Sequence, residues 1–144
     1  MSTQIGWLIE NKVVYVKISG ILTRTMLESN ANFLVKLLDA TSSDTHIHAI
    51  IDSLAVEKYD VPTTALNEIS KAFLQHPRLL STTDVTHSTS TQTTGRIVNM
   101  FARNRWKSFR IMPQALSYLN KTYPGLESLD ESVLASFKPL MIHK

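Results

Sequence analysis

Ile47–Ile69 reads IHAIIDSLAVEKYDVPTTALNEI, and its order of residue types decides the fold. The apolar residues Ile47, Ala49, Ile50 and Ile51 lead into Asp52, a polar stretch carries a second acid at Asp60, and Pro62-Thr63-Thr64 opens an amphipathic segment. A short β-branched run followed by turn signals and then by 3.6-residue periodicity is strand, loop, helix. The expectation is a strand that ends at Asp52, a turn holding Asp60, and a helix from Pro62. Proline suits the first helical turn and disfavours helical geometry at Val61 before it. In a parallel α/β sheet the groups at such a strand end and helix start face the binding crevice. Both acids are therefore expected at the rim.

Working outward, Ile5–Ser19 (IGWLIENKVVYVKIS) is two β-rich runs around Glu10-Asn11-Lys12, and Asn11 tolerates the left-handed backbone of a tight hairpin turn. Thr25-Met26-Leu27-Glu28 has capping-box spacing, and Leu27, Ala31, Leu34 and Leu38 continue as one helical stripe. A helix is expected from Met26 to Asp39. Beyond Pro62, Leu66, Ile69 and Phe73 mark the buried face of a second helix that His76-Pro77 stops. Leu79–Thr86 is a β-branched strand, His87–Thr94 a Ser/Thr-rich loop, Thr94–Arg103 a third helix, Lys107–Met112 a short strand, and Pro113 to Lys121 a fourth helix. After Pro124-Gly125, Ser128–Glu131 repeats the capping-box spacing. Leu126, Leu129, Val133 and Phe137 form a stripe that must dock on the body or on a second copy. Leu140-Met141-Ile142 extends that packing or frays.

The 144 residues, 43% of them apolar, suit one domain. Its core is expected over about residues 4–121, with a helical extension over about 126–144. The predicted class is α/β: a mixed, mostly parallel sheet of about five strands, with four helices and an extra carboxyl-terminal helix. No apolar run approaches the ~18 residues of a membrane span, and Met1-Ser2-Thr3-Gln4 has no signal-like core. A soluble, cytoplasmic protein is expected. The absence of cysteine excludes disulfides, thiol nucleophiles and thiolate metal sites. The net charge of +3 is mild, but no acid lies between Asp84 and Glu127, where Arg96, Arg103, Arg105, Lys107, Arg110 and Lys121 all fall. Aromatic interleaving is sparse there, so the signal for nucleic acid is not strong, and basic helix ends explain the bias more simply.

The element order, with ISGILT at 18–23 and AIIDSLAVEKYD at 49–60, resembles the STAS domain, in particular its SpoIIAA-like branch of anti-sigma factor antagonists. Asp52 and Asp60 match the family's two acids at their spacing, and Gly20 matches the glycine after the second strand. The resemblance implies a non-enzymatic regulatory module. It also implies a phosphoacceptor serine just after the second acid, yet those positions hold Val61 and Pro62. The switch serine is missing. Thr63 and Thr64 offer hydroxyls at the helix start, where a phosphate would meet the positive end of the dipole, although capping is their plainer role.

Other candidates carry weaker chemistry. Asp52, Asp60 and Asp84 would make a divalent-metal or acid/base cluster if they converged, but no nucleophile and base pairing accompanies them. His46 and His48 alternate as metal ligands can, without further ligands at useful spacing. Thr93-Thr94-Gly95-Arg96 at a helix start has the makings of an anion cradle without the full phosphate-loop pattern. Trp7 and Trp106 read as packing residues beside apolar strands.

The leading expectation is therefore a STAS-like module, not an enzyme and without cofactor or metal, that recognises a protein partner or a small anionic or apolar ligand. Its candidate binding residues are Asp52, Asp60, Thr63, Thr64, Thr93, Thr94, Gly95 and Arg96. The first alternative is a carrier of a hydrophobic, lipid-like ligand, related in fold to CRAL-TRIO domains. A metal-dependent hydrolase is the second. A homodimer through the carboxyl-terminal stripe is also expected.

Overall fold

The computed structural model of the protein describes residues 2–87, 105–126 and 128–144. Strands β1 (Ser2–Ile9) and β2 (Val13–Thr23) form the expected antiparallel hairpin. The Lys12 amide donates to the Ile9 carbonyl at 3.0 Å, and Asn11 takes φ 60°. Helix α1 (Arg24–Asp39) follows β2 with no loop. Its cap is Thr23, whose hydroxyl accepts from the Met26 amide at 3.4 Å, so the helix starts two residues before the expected Met26 and Thr25 lies inside it. Arg78 closes the other end, donating to the Leu38 and Asp39 carbonyls at 2.8 and 3.1 Å, where a cation also suits the helix dipole.

The largest departure concerns β3 (Ile47–Asp60), which does not stop at Asp52. Its first half pairs with both neighbours, whereas residues from Ala55 onward pair only with the second half of β2, from Ser19↔Ala55 to Thr23↔Asp60. Two register slips accommodate this two-stranded ribbon, one of them at Gly20, whose φ of 80° is the left-handed backbone that glycine adopts without strain. The expected turn carrying Asp60 is thus strand. Helix α2 (Thr63–Leu74) then starts one residue past Pro62, which is its cap. Strand β4 (Leu79–Val85), β5 (Arg105–Phe109) and α3 (Met112–Thr122) follow, with β5 displaced by two residues from the expected Lys107–Met112. The expected helix over 94–103 lies outside the described residues.

The six strands run in the order β5-β4-β3-β2-β1-β6, parallel from β2 to β5 and antiparallel around β1. This is the mixed, mostly parallel α/β sheet read from the sequence, with one strand more. Strand alternation sorts side chains into two cores. On one face Val14, Val16, Ala49 and Trp106 meet Leu27, Leu34 and Leu38 of α1 and Phe73 and Leu74 of α2. On the other, Val13, Tyr15 and Ile50 meet Leu116 and Leu119 of α3 together with Leu129, Val133 and Phe137.

The carboxyl-terminal stripe therefore docks on this chain's own sheet, and its use there removes the motive for a homodimer through it. Its helix α4 spans only Glu131–Ala135 and is capped by Asp130, not by the Ser128 box, because the Asp130 carboxylate accepts from Val133 and Ser132. The tail does not fray. Met141–His143 forms β6, the sixth strand, against β1.

Gly6 admits this passage. A Cβ there would sit 2.7 Å from the Lys138 carbonyl oxygen and 3.1 Å from both the Leu140 nitrogen and the Phe137 ring. Gly6→Ala is expected to cost about 1–3 kcal/mol in urea unfolding, the usual range for overpacking, with loss of hydrogen-exchange protection concentrated in β6. Unchanged stability would mean that the carboxyl-terminal segment does not lie across β1.

Candidate functional site

The acids singled out in the sequence do not converge. Asp52 and Asp84 belong to adjacent strands but opposite faces, since Asp52 pairs in register with Lys17 and Val85 whereas Asp84 pairs with Ile51 and Ser108. Asp60 is eight residues further along β3, about 25 Å at ordinary strand rise, and is exposed. The expected rim cluster is thereby corrected: strand alternation separates one pair and strand length the other. Among the described residues no three of His, Asp and Glu are grouped to hold a metal.

Asp52 is instead bonded locally. Its Oδ2 accepts from the Tyr15 hydroxyl at 2.6 Å, and its Oδ1 from the Leu54 amide at 3.2 Å. Burial, then the hydrogen bond to Asp52 and the charge of Asp52, raise the Tyr15 phenol so that it stays protonated. Tyr15 packs edge-on against Phe137, with centroids 4.9 Å apart. Thr63 and Thr64 are exposed in the first turn of α2, where no side chain caps the helix. Thr93, Thr94, Gly95 and Arg96 lie outside the described residues. His46 is exposed and His48 buried, the latter sharing a 2.7 Å hydrogen bond with Ser81 and lying against Tyr123. Burial, with a smaller push from His46, lowers the His48 imidazole to about 4, so it is neutral near pH 7.

Asp52, Tyr15, Lys17 and Glu131 line an open cleft of about 490 Å³, and a smaller, mostly apolar cavity of about 80 Å³ lies between the sheet and the α1–α2 pair. Its wall is mostly apolar: Val16, Ile18 and Leu22 from β2, Leu27, Ala31 and Leu34 from α1, Leu66, Phe73 and Leu74 from α2, and Trp106 from β5. Tyr59, on the β3 extension, also lines it, and its hydroxyl shares a 3.2 Å hydrogen bond with Thr86. Into this apolar surface come Asn30, Ser53, Asn67, Ser70 and Asp84.

Asp84 is 0% exposed. Its Oδ2 accepts from the Ser108 hydroxyl at 3.3 Å, and Ser108 Oγ in turn accepts from Trp106 Nε1 at 3.0 Å. Its Oδ1 has no partner. Asn30, 3% exposed, donates through Nδ2 to Thr3 Oγ1 at 3.2 Å and leaves its Oδ1 likewise unpartnered. A buried acceptor without a donor costs about 1–3 kcal/mol. Among the described residues Thr83 and Tyr123 also carry unpartnered buried oxygens, but only the Asp84 and Asn30 atoms share the cavity wall. Burial pushes the Asp84 carboxyl up to about 7, opposed by the Ser108 hydrogen bond and assisted by the charge of Asp52 across the sheet.

Sequence reasoning weighed Asp84 only as a member of an acid cluster and passed over Asn30. A signal for Asn30 did exist. It stands between Met26 and Leu34 at four-residue spacing, a polar group on the buried stripe of an amphipathic helix. Trp106 was read as packing and does pack, while also walling the cavity.

No family model matches the chain, and no curated protein matches it either. A solved structure does: an uncharacterised protein of the DUF3478 family from Shewanella loihica PV-4, with a SpoIIAA-like fold. It is 18% identical, the match covers 81% of this chain and 91% of that one, and the TM-score is 0.58. The chain has a SpoIIAA-like fold, as the resemblance implied.

The raised carboxyl makes a pH prediction whose sign follows from linkage. Below about pH 4 Asp84 is protonated both folded and unfolded and contributes nothing. As pH rises, the unfolded chain ionises first, so the penalty grows until about pH 7 and then levels off. His48 runs the other way, its contribution being present above about 6.5 and lost as pH falls towards 4. The stability difference between Asp84→Asn and the parent isolates the carboxyl. It should rise in favour of the variant between pH 4 and 7.5, by at most ~4 kcal/mol, in urea unfolding at stepped pH. A difference independent of pH would place Asp84 in water.

Proposed function

We propose that the protein is a non-enzymatic binding module that holds a small, mostly apolar ligand between its sheet and the α1–α2 pair, and signals its occupancy through those helices to a protein partner. One observation carries the reading: an apolar cavity with a fully buried carboxyl and a buried amide, each with an oxygen that nothing satisfies. A mostly apolar pocket with a few converging polar groups and a perturbed titrating residue is the usual form of a ligand site. The SpoIIAA-like fold is compatible with a binding role.

The size of the cavity separates this reading from a lipid carrier. At about 80 Å³ it falls below the ~300–1,000 Å³ of pockets for drug-sized ligands, which favours a small molecule over an acyl chain. Regulation by phosphate on a serine after Asp60 is not part of the proposal, because Val61 and Pro62 carry no hydroxyl. The helices are suited to relaying occupancy, since α1 and α2 pack on each other and both wall the cavity.

A thermal-shift screen of small apolar compounds tests the proposal. Binding at a hundred times Kd adds about 2.7 kcal/mol of apparent stability, and Ser70→Leu, which fills the cavity from α2, should abolish the shift without unfolding the protein. Compounds that stabilise parent and Ser70→Leu equally would place binding elsewhere. A complete absence of stabilising compounds would contradict the small-ligand reading.

A further inference from the structure

We propose, resting on that reading of the cavity, that its ligand is a small primary amine whose ammonium group sits against the inward carboxyl of Asp84 and whose apolar body fills the space under α1 and α2. Two observations on opposite walls point the same way. Once Asp84 is ionised, both unpartnered cavity atoms, Asp84 Oδ1 and Asn30 Oδ1, are acceptors, so the cavity then lacks donors and not acceptors. No Lys, Arg or His stands among the described residues that line it. A carboxylate at zero exposure needs either a proton or a cation. Among the described residues Ser108 serves one oxygen and nothing serves the other. An ammonium has three N–H donors, enough to serve the Asp84 and Asn30 oxygens together, and no acceptor to be left stranded.

The rest of the wall suits such a cation. Phe73, Tyr59 and Trp106 present aromatic surface in the same cavity, and ring faces attract an ammonium that has left water. A matched alcohol would bring one donor and no charge, leaving one acceptor unmet. A carboxylate ligand would set like charge against Asp84. The cavity thus discriminates by charge as well as by size.

The neighbourhood also gives the sign of the pH dependence. Ile51 on β3 and Ser108 on β5 flank Asp84, and Trp106 on β5, Ser53 on β3, Asn30 on α1, and Asn67 and Ser70 on α2 share its cavity wall. Tyr59 is the other titratable group on the described wall, and Asp52 adds its charge from the opposite face. Amine binding therefore displaces the proton of Asp84 itself, and affinity should rise between pH 6 and 8.

The test is an amide and indole NMR titration of the intact protein at pH 8 with butylamine, butanol and butyrate. Butylamine should shift the Trp106 indole and the Ser70 and Asn67 amides saturably, at least tenfold more tightly than butanol, with no effect from butyrate. In Asp84→Asn the preference should shrink to within about twofold while butanol binding stays as it was. Should that variant fail to fold, the rise of butylamine affinity with pH in the parent provides the same test. Butanol binding as well as butylamine, or a preference that survives Asp84→Asn, would overturn the amine and leave the small-ligand reading standing. An affinity that falls as pH rises would overturn it too, by showing protonated Asp84 as a donor. Silence from all three compounds would overturn this inference, and the wider thermal-shift screen would then judge the cavity by itself.

Discussion

A carboxyl group with no exposure, held between two parallel strands and under two helices, sets the terms for the rest of this molecule. Strand β4 is flanked by β3 and β5 and pairs in parallel with both, so Asp84 has no route to water along a sheet edge. Alternation along β4 turns it towards α1 and α2, where the facing residues are mostly aliphatic or aromatic. Such an environment disfavours charge strongly, and the carboxyl answers by keeping its proton to about pH 7. The Trp106–Ser108–Asp84 chain of hydrogen bonds fixes one oxygen and leaves the other towards the unfilled space. Stability is given up at this place, since a buried carboxyl oxygen without a donor is a net cost.

The opposite face shows the contrast. There α3 and the carboxyl-terminal segment cover Val13, Tyr15 and Ile50, and the acid on that side, Asp52, has a donor for each oxygen. Asn120 ties the segment down with two hydrogen bonds to the Leu129 backbone, both at 2.9 Å, and Gly6 lets it pass close over β1. That layer is held down by the chain itself, with an open cleft of about 490 Å³ left beside Tyr15, Lys17, Asp52 and Glu131. The other, built from α1 and α2, retains the smaller, apolar cavity, and it is the face to which the proposal assigns the ligand.

Much of the fold could be read from local pattern. Asn11 announces the hairpin because few residues accept a positive φ there, Pro62 announces the start of α2, and the run from Ile47 to Ile51 announces a buried strand. The site resisted reading because its defining properties are non-local. Nothing in residues 53–60 reveals that β3 continues, since its partner is the far end of β2 and the pairing needs a register slip at Gly20. The stretch from Ser81 to Asp84 looks polar enough for a strand end, yet all four residues are buried by elements distant in sequence. The three acids could be listed from the sequence, but the faces they occupy depend on register, and a change of one residue moves a side chain across the sheet.

The most direct measurement is the titration of the Asp84 side-chain carboxyl carbon by NMR in the ligand-free protein. Burial without a cation predicts a midpoint near 7, far above the ~3.9 of an exposed aspartate. A midpoint near 4 would show a solvated or already paired carboxylate, and the account of the cavity as a ligand site would fall with it.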